Sequence, residues 1–190
     1  MRGSACHDRL VARYVSLLRG INVGGSRIVK MAELRELHRA LGHEDVQSYV
    51  QSGNVVFSTE TGDVGALAVA IHDAIFERFG YDDVDVVLRT RAELAEAAAG
   101  NPFLARGCEP TSLHLMLLAH PIEPSRLADL DGTPFLPDEF ALAQQQIYLH
   151  LPNGVGRTKI FRLLSERALG TRATVRNWRT VSAILGMLDG

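Results

Sequence analysis

Four short segments carry residues whose types and spacing suit contact with an anion. Gly20-Ile21-Asn22-Val23-Gly24-Gly25 is flanked by Arg19, Arg27 and Lys30 with no acid between them. Glycines let backbone N–H groups approach an anion closely, so Arg19, Gly20, Asn22, Gly24, Gly25 and Lys30 form a first candidate cradle. Asn153-Gly154-Val155-Gly156-Arg157-Thr158-Lys159 repeats that chemistry. Thr158 is placed to cap a helix beginning near Lys159, and Asn153, Gly154, Arg157, Thr158 and Lys159 would then meet an anion together with the first helical N–H groups. Arg176-Asn177-Trp178-Arg179-Thr180 holds the only tryptophan between arginines, a platform for guanidinium or ligand stacking through Arg176, Asn177 and Trp178. Gln51-Ser52-Gly53-Asn54 offers a hydroxyl and two amides through Gln51, Ser52 and Asn54. Each segment also has a plain structural reading: a glycine turn, a capped helix, a tryptophan anchoring a helix to the core, a hairpin turn.

These patterns exclude several named chemistries. The first loop lacks G-x-G-x-x-G, and in the second Thr precedes Lys where a phosphate-hydrolysing loop has Lys before Ser or Thr. Ser52 is not in a G-x-S-x-G elbow, so no nucleophile is assigned. The seven histidines and two cysteines show no ligand spacing, and neither a metal nor a cofactor is expected. Asp82, Asp83 and Asp85 read as a solvated surface, and no carboxylate pair takes acid and base roles.

The elements that must position these loops repeat. Tyr14 to Leu18 reads as a strand, Met31, Leu34, Leu37 and Leu41 as a helix ended by Gly42, and Val46 to Val50 with Val55 to Ser58 as a hairpin. Val64 to Phe79 carries a helical stripe, Val84 to Leu88 returns to strand, and Arg91 to Ala99 is a short helix. After Asn101-Pro102-Phe103 the order recurs. His114 to Leu118 is a strand, Pro124 to Leu130 a helix, Glu139 to Ala143 with Ile147 to Leu151 a hairpin, Ile160 to Leu169 a helix, and Thr171 to Val175 a strand. Val181 to Leu188 is the closing helix, and no residue-level repeat is visible. The expected fold is α+β: two tandem ferredoxin-like β-α-β-β-α-β modules with antiparallel sheets over 13–100 and 101–190, plus a C-terminal helix, behind a flexible extension over 1–12.

Charge is distributed unevenly along the 190 residues. Residues 1–30 hold six basic and one acidic residue and 157–190 seven and two, whereas 31–156 hold seven and nineteen. If the fold joins the basic ends, they form a positive surface on a chain of net charge -2. Of the basic residues only Lys30 and Lys159 are lysine, and each borders one of the two glycine-rich loops. With no disulfide framework, signal core or membrane-length apolar run, a cytoplasmic chain is expected, with no membrane partner.

In order along the chain, Leu17-Leu18-Arg19-Gly20-Ile21-Asn22-Val23-Gly24-Gly25, Tyr49-Val50-Gln51-Ser52-Gly53-Asn54-Val55-Val56-Phe57, Asn101-Pro102-Phe103, Leu151-Pro152-Asn153-Gly154 and Arg176-Asn177-Trp178 resemble the bacterial domain-of-unknown-function family 1697, over roughly 13–188. The resemblance implies a duplicated α+β protein and brings no catalytic residue. Three positions depart from the family pattern: Thr158 stands where Ser is common, Arg179 where Asn is common and Ala183 where Lys is common. The leading expectation is a cytosolic site between the modules for an anionic, phosphorylated small molecule. The alternatives are a nucleic-acid-binding module using the basic ends, though the third strand lacks stacking aromatics, and a protein-interaction domain. The sequence sets no oligomeric state.

Overall fold

The computed structural model describes residues 11–127 and 130–190. Residues 1–10 of the expected extension lie outside that range, and Ala12 already belongs to the first strand. The first half runs β1 (Ala12–Leu18), α1 (Met31–Ala40), β2 (Glu44–Tyr49), β3 (Asn54–Thr59), α2 (Val64–Phe79), β4 (Val86–Thr90) and α3 (Arg91–Ala99). The second runs α4 (Pro102–Ala105), β5 (Leu113–Leu118), α5 (Pro124–Leu127), β6 (Glu139–Leu142), β7 (Gln146–His150), α6 (Glu166–Leu169), β8 (Ala173–Asn177) and α7 (Trp178–Asp189). Two four-stranded antiparallel sheets result, in the orders β2-β3-β1-β4 and β6-β7-β5-β8.

Local chemistry explains most of the boundaries. Asp63 caps α2 by accepting the Ala66 N–H, and Gly80, in the left-handed region at φ 75°, closes it. A Thr90–Glu93 capping box opens α3, and the Asn177 side chain accepts the Thr180 N–H to open α7. Trp178 is therefore the first residue of the closing helix rather than a residue ahead of it. The expected helix over Ile160–Leu169 is instead a single 3-10 turn, Ile160–Arg162, followed by α6. Ser165 is extended (φ -75°, ψ 154°) and caps α6 through the Ala168 N–H, which interrupts a run whose apolar spacing looked continuous. The expected Pro124–Leu130 helix is described only over Pro124–Leu127, residues 128–129 lying outside the described range.

Alternation along the strands sends two faces to two cores. Tyr14, Leu18, Val55, Phe57 and Leu88 face α1 and α2, while Met116, Leu118, Ile147 and Leu149 pack with Ile160, Leu164 and Leu169. The opposite faces, Val15, Leu17, Val56 and Val87 from one sheet and Leu113, Leu115, Leu117 and Tyr148 from the other, share a third core with α3 and α7. Each fully buried aliphatic side chain there contributes roughly 1.5–3 kcal/mol. Separating the halves exposes this core, so they are held as one body.

The two sheets correspond strand by strand, related by an approximate twofold exchange of contacts. Leu18 N–H bonds Gly53 O and Arg19 N–H bonds Asp85 O, while Leu118 N–H bonds Gln145 O and Ala119 N–H bonds Arg172 O. By this register Leu18 matches Leu118, Asp85 matches Arg172, and Arg89 matches Arg176. The arginine contacts are reciprocal at Leu18 and Leu118, while the second acceptors are offset by one residue, since the counterpart of Gln145 is Gly53. Arg176 Nη2 donates to the carbonyls of Leu18 (2.7 Å) and Ser52 (2.9 Å), and Arg89 Nη2 donates to those of Leu118 (2.6 Å) and Gln145 (3.0 Å). Each arginine also caps the carbonyl preceding it on its own strand, Val175 or Leu88. The matched pair Asp85 and Arg172 meet each other in an ion pair. Among the described residues, no helix is long and apolar enough to cross a membrane.

Candidate functional site

The first glycine-rich segment is a miniature hairpin. Asn22 N–H bonds Arg27 O (3.1 Å) and Ser26 N–H bonds Val23 O (3.1 Å), with Gly24 (φ 59°) and Gly25 (φ 77°) at its tip. Two successive positive φ values are the signature of a type I′ turn, which explains the Gly-Gly pair without a ligand. Asn22 anchors the base: its amide donates to Val29 O (2.9 Å) and Gln51 O (2.8 Å), and its Oδ1 accepts from Val29 N–H. Lys30 is 77% exposed and pairs with Glu33 at 3.4 Å. The acid-free loop of the sequence is thus not acid-free in space. Arg27 bonds Asp83, and Arg19 bonds Asp85 (3.2 Å) and Glu166 (2.7 Å). Asp83 and Asp85, read as solvated surface, are the counterions of this loop, and the Arg27 guanidinium holds the Asp83 carboxyl below its ordinary range.

Two of the candidate segments serve the interior. Asn54 is 1% exposed; its amide donates to Tyr49 O and Ser52 Oγ, and its Oδ1 accepts from Arg176 Nε at 2.5 Å. Gln51 and Ser52 take part through their carbonyls, which accept from Asn22 and Arg176. Gly53 (φ 72°) lies so close to β1 that a Cβ would stand 2.7 Å from Leu18 Cβ and 2.8 Å from Ile21 Cδ1. Gly53→Ala is therefore expected to lower unfolding free energy by about 2–4 kcal/mol in denaturant titrations, combining the left-handed penalty with overpacking. A loss below about 1 kcal/mol would show that β1 yields freely at this contact. Trp178 is 7% exposed within the shared core, and Asn177 serves as the α7 cap.

The second glycine-rich loop is an exposed turn. Gly154 N–H bonds Leu151 O and Arg157 N–H bonds Gly154 O, while Thr158 Oγ1 accepts the Ile160 N–H at 3.1 Å. The cap is present, but the 3-10 turn behind it is three residues long and provides no helix dipole of consequence. Asn153, Gly154, Arg157, Thr158 and Lys159 do not line the cleft described next.

That cleft, of about 950 Å³, opens between the halves. The hairpin contributes Arg19, Gly20, Val23 and Arg27; the second half contributes Phe161, Leu164 to Arg167, and Arg172 to Arg176 along β8. Its origin is a break in the pseudo-symmetry. In the first half the crossover to the last strand is the 16-residue α2, whereas its counterpart is a three-residue turn and the four-residue α6. The shortened crossover covers β8 only in part, leaving Ala173 and Val175 half-buried. Five arginines and two carboxylates, Asp83 and Glu166, line the space, beside the apolar Met116, Phe161, Leu164 and Val175. Among the described residues the Arg167 guanidinium has no hydrogen-bond or ion-pair partner. Of the residues singled out by chemistry, the cleft joins Arg19, Gly20 and Arg176 and leaves the others elsewhere.

A family model described as a protein of unknown function, DUF1697, matches residues 11–148. The chain belongs to the DUF1697 family. A solved structure, the conserved bacterial protein SP0830 from Streptococcus pneumoniae, is 24% identical to this DUF1697 chain, with a TM-score of 0.70 over 94% of this chain and 99% of that one. That likeness shows the fold. No curated protein matches. The match to the DUF1697 model ends within β7, so the second glycine-rich loop and the Arg176-Asn177-Trp178 motif lie beyond it.

Sequence reasoning passed over Arg89, Arg167, Arg172 and Phe161 in this DUF1697 protein. Arg89 had a readable signal: Val87-Leu88-Arg89-Thr90 and Thr174-Val175-Arg176-Asn177 both place an arginine inside an apolar strand, one residue before a helix cap. Arg167 and Arg172 had none, because only the broken crossover brings them to one space. Among the described residues, no group of three or more His, Cys, Asp or Glu side chains is arranged to hold a metal.

Proposed function

We propose that the protein binds a small anionic ligand, with phosphorylated compounds the leading class, in the cleft between its halves. The observation carrying this reading is that Arg19 and Arg27 from one half and Arg167 and Arg172 from the other line a single space, in which Arg167 has no partner among the described residues. Guanidinium forks match phosphate oxygens bidentately, and apolar walls favour a ligand with a non-polar body. The volume is that of an ordinary small-molecule pocket. Within this reading the units over 13–100 and 101–190 are ferredoxin-like modules, supported by their element order and strand order, and the protein works in the cytoplasm.

The test is thermal unfolding with pyrophosphate, nucleotides and sugar phosphates. A ligand at a hundredfold its Kd is expected to stabilise the protein by about 2.7 kcal/mol. Arg167→Ala is expected to abolish most of the shift, whereas Lys30→Ala and Lys159→Ala, outside the cleft, leave it intact. No shift with any compound at millimolar concentration overturns the proposal.

A further inference from the structure

Strand β8 ends its sheet, pairing only with β5 in the order β6-β7-β5-β8. The bond from Ala119 N–H to Arg172 O fixes the parity of that pairing: Arg172, Thr174 and Arg176 turn their backbone groups to β5. Ala173 and Val175 therefore turn theirs outward, into the cleft that Arg172 to Arg176 line without interruption. Arg176 Nη1 takes the Val175 carbonyl at 2.9 Å. The N–H groups of Ala173 and Val175 and the carbonyl of Ala173 have no partner among the described residues. Edge strands are commonly blunted by charge, proline or a covering element. Here the crossover is short, and the five arginines lining the space outnumber its two carboxylates, Asp83 and Glu166.

We propose that the β8 edge is a strand-addition site, taking an extended acidic peptide segment as a fifth strand of the second sheet. Main-chain bonds to Ala173 and Val175 hold the segment in register, and its outward carboxylates meet Arg167 and Arg19, where Glu166 is the resident competitor. Alternate residues turn the other way, onto Phe161 and Leu164. A basic segment meets the same arginines unfavourably, so charge fixes the class of partner. The inference rests on the reading that the cleft arginines take an anion, and adds that the anion is carried on an extended backbone.

The test uses acetyl-(Glu-Val)3-amide, its analogue N-methylated at alternate residues, acetyl-(Lys-Val)3-amide and pyrophosphate. Val175→Pro removes an outward donor and spares the ladder to β5, and Val175→Ala controls for the lost side chain. The expected result is binding of the acidic peptide alone among the three. Val175→Pro should weaken it at least about tenfold and Val175→Ala less than about threefold, with the far-UV circular dichroism of both matching wild type. Equal affinity of Val175→Pro and wild type for the acidic peptide, or binding of the N-methylated analogue as tight as the parent, overturns strand addition. Pyrophosphate binding without peptide binding also overturns it and leaves the anion reading standing. Binding of neither overturns both.

Discussion

Arg176→Ala is expected to cost about 3–5 kcal/mol of unfolding free energy, the largest loss from any single truncation proposed here. The side chain is 8% exposed and has no carboxylate partner among the described residues; its acceptors are Asn54 Oδ1, Thr174 Oγ1 and the carbonyls of Leu18, Ser52 and Val175. Burial pulls its pKa down to about 10, so it remains charged at neutral pH. Truncation leaves neutral acceptors stranded between two sheets, each unsatisfied group costing about 1–3 kcal/mol, with water recovering part. Arg176→Lys retains the charge on a compact head that lacks the fork, and should recover less than half of the loss. Arg89→Ala, which frees the carbonyls of Leu88, Leu118 and Gln145, is expected to cost about 2–4 kcal/mol. Denaturant unfolding at constant pH measures all three. An Arg176→Ala loss under about 1 kcal/mol would mean that the clamp is solvated and that the shared apolar core alone joins the halves.

Acid is expected to destabilise the protein before its carboxylates titrate. His38 is fully buried on α1, with Nε2 3.3 Å from Ser16 Oγ and Nδ1 3.0 Å from His43 Nδ1. Phe57 packs against both rings, at 4.9 and 4.2 Å between centroids. Desolvation, and then the neighbouring His43, push His38 down to about 3; desolvation lowers His43 as well. Facing Nδ1 atoms at this distance require one donor and one acceptor, which excludes protonation of both rings together. The unfolded chain takes up a proton near pH 6.5 that the folded chain refuses, so stability is intact above that pH and falls below it. Each such histidine contributes a slope of about 1.4 kcal/mol per pH unit, and between pH 6.5 and 4.5 His38 alone removes about 2–3 kcal/mol. In His38→Met the slope of stability against pH over that window should be shallower by about 1.4 kcal/mol per unit. An unchanged slope would mean that His38 is protonated in the folded state. The carboxylates held below their ordinary range, Asp83, Asp131 and Glu139, add losses of the same sign only nearer pH 4.

Sequence patterns identify elements well where local rules decide them, as over α2, where stripe, Asp63 cap and Gly80 terminus agree. They mislead at Ile160–Leu169, where the apolar spacing is equally helical and one extended serine breaks the run. The candidate site was less legible. Glycines at 24 and 25 and the amides at 22 and 54 are there for turn geometry and buried bonds, uses that share residue types with anion binding. Counting acids along the chain concealed Asp83, Asp85 and Glu166, which reach the first loop from 56 or more residues away. The cleft arises from a missing length of helix, and only comparison of the two halves in space makes that visible.

Asp85 and Arg172 occupy matching positions and touch each other where the halves meet. In a homodimer of separate identical chains, a residue at such a point faces its own copy, so a charged side chain there repels itself. One continuous polypeptide escapes that constraint, because its two counterpart positions are encoded independently and can take opposite signs. The same freedom allows one crossover to be a long helix and the other a broken one, so a single cleft can exist where strict symmetry would demand two or none.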